Sequence, residues 1–181
     1  FDPTITPGGT YYSGTMHTHP DFGVNGGGSD PADIAVIELD TVPPVVERGL
    51  LPYEGMLDDL EDEKILKHTR FTTVGYGTIR EIHQTGFQAI LDNLDRNYVE
   101  QGFNALTKVW LKLPMNINTD NGGTCYGDSG GPHFIHLDGE ETKIVASITV
   151  TGDTPCKATY VTYRVDTAYA QEFLGQFVEL P

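Results

Sequence analysis

Apolar residues in this chain recur at every second position in short runs, and glycine, proline, asparagine and aspartate separate the runs. Alternation is the period of a half-buried strand, and many short alternating runs between turn formers predict an all-β protein. Strands are expected at residues 10–17, 33–39, 70–75, 106–113, 133–137, 143–151 and 160–165, with Asp138-Gly139 as a hairpin turn. Two stretches carry a helical period instead. In residues 53–67, Leu57, Leu60 and Lys64 fall at helical intervals and predict a surface helix. Residues 167–177 predict a C-terminal helix after Asp166 or Thr167 as N-cap. Residues 41–52, with prolines at 43, 44 and 52, read as a crossing between two β units or as a surface loop. There is no internal repeat.

Composition narrows the classes. The 181 residues, 38% hydrophobic and 20% charged, suffice for one large or two small β domains with a real core. Twenty-six acids against eleven Lys and Arg give a net charge of −15, spread along the chain. Such a surface repels phosphate, and no basic stripe offsets it, so nucleic acid is excluded as a partner. No apolar run reaches eighteen residues, and the first residues carry neither a basic stretch nor an apolar core of a signal peptide. A soluble protein is expected. The chain opens on Phe1 rather than Met, which predicts a processed protein or a piece of one. Two cysteines, Cys125 and Cys156, fit one disulfide formed in an oxidising compartment, or two unrelated buried thiols. Neither lies in a C-x-x-C or has a histidine at ligand spacing, so zinc is disfavoured, and no other metal or cofactor is implied.

The stretch Cys125 to Pro132, CYGDSGGP, is where chemistry is expected. A nucleophilic serine needs an exposed hydroxyl, a base within reach and donors that meet an oxyanion. Glycines on both sides of Ser129 suit this: Gly127 lets its own N–H and that of Ser129 turn into one hollow, and Gly130 and Gly131 admit substrate. Asp128 places a negative charge beside that hollow, where it would hinder catalysis unless it turned inward to a buried cation.

GDSGGP resembles the nucleophile segment of the chymotrypsin/trypsin family of serine peptidases. Other segments agree in order. DIAVIEL, from Asp33 to Leu39, resembles the family's strand carrying the triad aspartate and precedes Ser129 by 96 residues. RFTTVGYG, from Arg70 to Gly77, is similar to the strand that opens the second barrel; IVASITVTG, from Ile144 to Gly152, resembles the strand that pairs with substrate. Residues 163–174 resemble the last strand and terminal helix of bacterial members. The resemblance runs from about residue 10 to the end. It implies a double six-stranded antiparallel β-barrel with a short C-terminal helix, the first barrel incomplete. Residues 1–51 would be the remainder of the N-terminal barrel with the triad aspartate, and residues 52–181 the C-terminal barrel with the serine.

The resemblance makes Ser129 the nucleophile, the N–H groups of Gly127 and Ser129 the oxyanion hole, and Asp33 the carboxylate that orients the base. It pairs Cys125 with Cys156 as a disulfide beside the primary pocket, and it gives Asp128 the role of partner to an N-terminal ammonium created by activation cleavage. Gly123, six residues before the serine, falls at the base of that pocket, and Val150, Thr151 and Gly152 along its wall. Lacking a carboxylate at Gly123, the pocket is expected to prefer a neutral or apolar side chain, unless Asp153 beside it reverses this. A secreted monomer acting on peptide or protein substrates is implied.

The base is missing. In the family's order of His, Asp, Ser, the histidine lies about 45 residues before the aspartate, which runs off the start of this chain. The six histidines present do not replace it. His17 and His19, in MHTHPDF, resemble a structural His-Pro segment of the family; His68 and His83 read as surface residues. His133, at a position usually apolar in the family, and His136 lie on an extended strand and read as core or surface imidazoles, with His133 pointing away from Ser129. The chain is therefore expected to be a peptidase without its N-terminal portion: a fragment, one half of a processed protein, or a protein that has lost the activity. Without its base a triad retains little, some 10⁴ to 10⁶ in kcat being lost, so the chain alone is expected to be close to inert. The alternative is an inactive homologue acting as a binding or scaffold protein, against which the retention of Ser129, Asp33 and Gly127 weighs. A lipase or esterase is disfavoured, because no strand-helix alternation is present.

Overall fold

The computed structural model describes residues 4–24, 31–44, 47–81 and 90–181. The described residues form an all-β structure with two short α-helices. In chain order the elements are β1 (Gly14–Thr18), β2 (Ala35–Leu39), α1 (Met56–Asp62), β3 (Phe71–Gly75), β4 (Ile79–Arg80), β5 (Ile90–Leu91), β6 (Asn97–Gln101), β7 (Ala105–Leu106), β8 (Trp110–Pro114), β9 (Pro132–Leu137), β10 (Glu140–Gly152), β11 (Thr159–Arg164) and α2 (Ala168–Leu174). Seven strands form one curled antiparallel sheet in the order β6-β3-β9-β10-β11-β8-β7, while β1 and β2 pair separately, as do β4 and β5.

Most expected strands are present, with differences that have local causes. The run expected at 106–113 is β7 and β8 joined by a turn that contains neither Gly nor Pro; Thr107 N donates to Trp110 O at 2.8 Å and the Thr107 hydroxyl accepts from Trp110 N at 3.0 Å. β6, NYVEQ, escapes the alternation rule because Val99 is its one aliphatic residue. As the edge of the sheet it tolerates that polarity, and Tyr98 stands 76% exposed there. Asp138 and Gly139 both take positive φ, 54° and 85°, and join β9 to β10 as the expected hairpin.

The surface helix expected at 53–67 is corrected by the structure. α1 ends at Asp62, Lys64 turns the chain back at φ 62°, and Leu66 returns to the interior. Met56, Leu57 and Leu66 are buried against Phe71, Leu111 and Ile135 inside the curled sheet. The acids of this segment occupy only its outer face, and that masked its core side. α2 matches expectation with Thr167 as its cap, the hydroxyl accepting from Ala170 N. A second cluster, Ile34, Tyr163, Val165, Ala170, Phe173 and Leu174, joins α2, β11 and the chain leading into β2, with Ile148 and Val150 packed against it. Within residues 41–52, Leu50 lies beside β10: its N–H donates to Lys143 O and its carbonyl accepts from Val145 N.

Candidate active site

Ser129 is exposed at the tip of two successive turns. Asp128 N donates to Cys125 O and Gly131 N to Asp128 O, so the chain folds over on either side of the serine. The first turn needs Gly127, at φ 97°, in a region that side chains with a Cβ rarely enter. The turn is anchored to β10 by two bonds: Gly130 N donates to Thr149 O at 2.8 Å and Thr149 N to Gly131 O at 2.9 Å. Beyond this point β10 remains paired with β11 as far as Gly152 opposite Tyr160, while its pairing with β9 ends at Ile148 opposite Pro132. Among the described residues, 150–152 therefore form a strand with one unpaired edge next to Ser129. Val150 is half-buried, and Thr151 and Gly152 are exposed.

Asp33 is half-buried on the approach to β2, between Ala32 and Ile34, which are 0% and 5% exposed. Ile34 packs into the cluster that includes Ile148 and Val150, and the Tyr163 hydroxyl donates to Pro31 O at 2.8 Å. β10 thus meets the serine turn through Thr149, and its Ile148 and Val150 pack against the cluster that contains Ile34.

Asp128 does turn inward, and its partners among the described residues are backbone amides. Its carboxylate accepts from Gly77 N at 2.8 Å and Cys125 N at 2.9 Å. It lines a cleft of about 530 Å³ together with Gly75, Gly77, Val99, Met115 and Gly122. Ser129 and residues 150–152 do not line that cleft, so it is not the space in front of the serine. Cys125 and Cys156 form a disulfide. Gly123 packs so closely on Met115 and Tyr160 that a Cβ there would overlap the Met115 side chain and sit 3.0 Å from Tyr160 Cε1. Asp153 faces its own loop: its carboxylate accepts from the N–H groups of Lys157, Ala158 and Thr159 at 2.9 to 3.2 Å. The carboxylate thus serves as the acceptor that closes the loop of residues 153–159.

The described histidines are engaged elsewhere than at Ser129. His17 stacks on Phe177 and faces Glu38 at 3.3 Å, and His19 is buried against Tyr169 and Phe173. His68 is exposed in the 3-10 turn Leu66–His68, and His136 bonds Thr72 at 2.8 Å. His133 is fully buried, bonded to Thr73 and Thr149, and burial pushes its pKa down to about 3. His83 lies outside the described residues. Thr149, which lies in the IVASITVTG stretch without a role expected of it there, is the residue that ties this interior to the serine turn. Its signal in the sequence is the set of polar residues at inward positions of strands, Thr73, His133 and Thr149.

The family model for Trypsin matches residues 9–173, nearly the whole chain. The chain belongs to the trypsin family. No curated protein matches it closely enough to be called a relative. A trypsin-family assignment makes a serine peptidase acting on peptides the general activity class, and the family is typically secreted, which suits the disulfide. Among the described residues no helix is long and apolar enough to cross a membrane, and no group of three or more His, Cys, Asp or Glu is placed to hold a metal.

Proposed function

We propose that this trypsin-family chain belongs to a secreted, monomeric serine endopeptidase that cleaves peptide bonds through an acyl-enzyme on Ser129. The observation that carries the reading is the pairing of an exposed serine at a glycine-bounded tip with the unpaired β10 edge at residues 150–152, to which its turn is bonded. An extended peptide can add to such an edge as a further strand and place one carbonyl at the hydroxyl. The N–H groups of Gly127 and Ser129 serve as donors to the oxyanion that forms there. Asp33 orients the imidazole that takes the serine proton. Asp128, at the wall of the 530 Å³ cleft, has lone pairs left beyond its two amide bonds and is the acceptor for an activating ammonium. Gly123 and residues 150–152 form the primary pocket, which suits a neutral or apolar side chain because Gly123 supplies no carboxylate and the Asp153 carboxylate binds N–H groups of its own loop.

The reading calls for a histidine that the described residues do not bring to Ser129, and it assigns residues 1–51 to the N-terminal barrel with Asp33 and residues 52–181 to the second barrel. The face of the β1–β2 pair supports this. Met16 opposite Ile37, and Leu39 opposite Gly14, share one face and are 69%, 63% and 42% exposed, whereas His17 and Val36 on the other face pack toward Phe177 and the α2 cluster. An apolar sheet face of this kind is covered in a complete barrel.

The test is to read the coding sequence upstream of Phe1, express the extended chain, and treat it with a fluorophosphonate. Labelling of the extended chain at Ser129, lost in Ser129→Ala and far slower in residues 1–181 alone, supports the reading. An upstream segment without such a histidine, or an extended chain that stays unlabelled, overturns it in favour of a binding protein.

A further inference from the structure

One buried titratable group has no part in the chemistry proposed above. His133 lies on β9 four residues after Ser129 and is 0% exposed. Its Nδ1 side faces the Thr73 hydroxyl of β3, the Gln101 side-chain amide of β6 at 3.3 Å and the Tyr160 hydroxyl of β11 at 3.4 Å. Its Nε2 lies 2.9 Å from Thr149 Oγ1 on β10. The Gln101 amide nitrogen can only donate, so the arrangement is satisfied when Nδ1 accepts and the proton of the neutral ring, on Nε2, is given to Thr149. One imidazole thus bridges strands that are not all sheet neighbours.

What makes the bridge more than core packing is where Thr149 leads. Its N–H and carbonyl are the two groups that bond Gly131 and Gly130, the residues immediately after Ser129. Directly beyond it the β10–β11 register shifts between Thr149 and Thr151, so Val150 is the extra residue of a bulge. Bulges aim side chains, and they persist where something pins them. An apolar residue at 133 would fill the space with less desolvation, yet it would leave the Thr149 hydroxyl without direction. We propose that His133 is a positioning residue, whose ring fixes Thr149 and thereby holds the Ser129 turn in register with the peptide-binding edge at residues 150–152. The proposal deepens the peptidase reading and rests on it for its catalytic consequence, although the geometry it asserts can be measured without activity.

The test uses His133→Phe, which keeps the ring's bulk without its nitrogens, His133→Gln, which restores a donor and an acceptor, and Thr149→Val, which removes only the hydroxyl. Amide hydrogen exchange is followed in residues 1–181 alongside global stability, and fluorophosphonate labelling of Ser129 in the upstream-extended chain. In His133→Phe and in Thr149→Val, exchange at Gly130 and Thr149 should rise about tenfold beyond what the global stability change explains, the scale of one lost buried hydrogen bond. His133→Gln should recover part of that protection, and the labelling rate should fall and recover in the same order. A purely structural imidazole predicts otherwise: exchange at Gly130 and Thr149 that follows global stability in both substitutions, or labelling rates that do not change. Either result overturns the proposal. Should His133→Phe not fold, Thr149→Val alone decides between the two outcomes. An unlabelled wild-type parent sinks the peptidase reading alone, because the exchange measurement still decides whether His133 holds the turn.

Discussion

At the scale of single residues the site is governed by which polar atoms are already satisfied. Gly123 shows the consequence for specificity. A carboxylate introduced there to attract basic side chains would meet Met115 and Tyr160 before it met substrate. Gly123→Asp should therefore destabilise the fold by about 1 to 3 kcal/mol, as overpacking does, and thermal unfolding of the variant will show it. His133 gives a pH signature. Its folded pKa is lowered to about 3 by burial, below the ordinary 6.5, so the unfolded chain takes up the proton first as pH falls. Stability from this group is complete above pH 6.5 and is lost progressively down to about pH 3. Between pH 7 and pH 4.5 the wild type should lose about 2 to 3 kcal/mol more than His133→Gln, measured by urea unfolding at both pH values. An equal loss in the two proteins would show that the ring is protonated in the fold.

Among the elements, α1 depends most on a partner distant in sequence. Its cap, Gly55, has no side chain, and the free N–H groups are met by Asp166, whose carboxylate accepts from Leu57 N and whose carbonyl accepts from Gly55 N, both at 2.8 Å. The same carboxylate takes Arg164 Nε and Nη2 at 2.9 Å each, while Asp58 holds the other side of that guanidinium at 2.6 and 3.1 Å. Burial alone would lower the Arg164 pKa, but the two carboxylates outweigh it and raise it. Asp166→Asn leaves a buried cation half paired and should cost about 3 to 5 kcal/mol. Asp58 is 64% exposed, and Asp58→Asn should cost under about 1 kcal/mol. Denaturant midpoints of the two variants check the order, and equal losses would refute this account of α1.

For the molecule as a whole, the apolar face of the β1–β2 pair separates a complete protein from a partial one. Lysines at Met16 and Ile37 should leave the stability of residues 1–181 within about 0.5 kcal/mol and reduce binding of an apolar dye, because both side chains already face water. In the upstream-extended chain the same pair should cost several kcal/mol, on the order of the burial of two large side chains. Equal effects in the two chains would mean that nothing covers this face. Reduction of the Cys125–Cys156 bond, which spans 31 residues, should cost about 3 to 4 kcal/mol and loosen the turn before Ser129.

Much of this could be read from the chain itself. Alternation and turn formers are local properties, so the all-β class, the Asp138-Gly139 hairpin and a C-terminal helix capped at Asp166 or Thr167 needed no tertiary information. The CYGDSGGP segment is likewise contiguous, and its glycines are demanded by the backbone that holds Ser129 out. Tertiary structure alone decided what depends on distant partners. The acids of α1 concealed a core helix until Asp166 was seen to cap it from 109 residues away. A strand as polar as β6 was recognisable only from its pairing with β3. Whether Asp153 and Asp128 face a substrate, a cation or their own backbone, and that His133 is bonded through Thr149 to the serine turn, are set by lone pairs and N–H groups that meet only when the sheet curls. Periodicity records which face a residue takes, but not which atom it meets there.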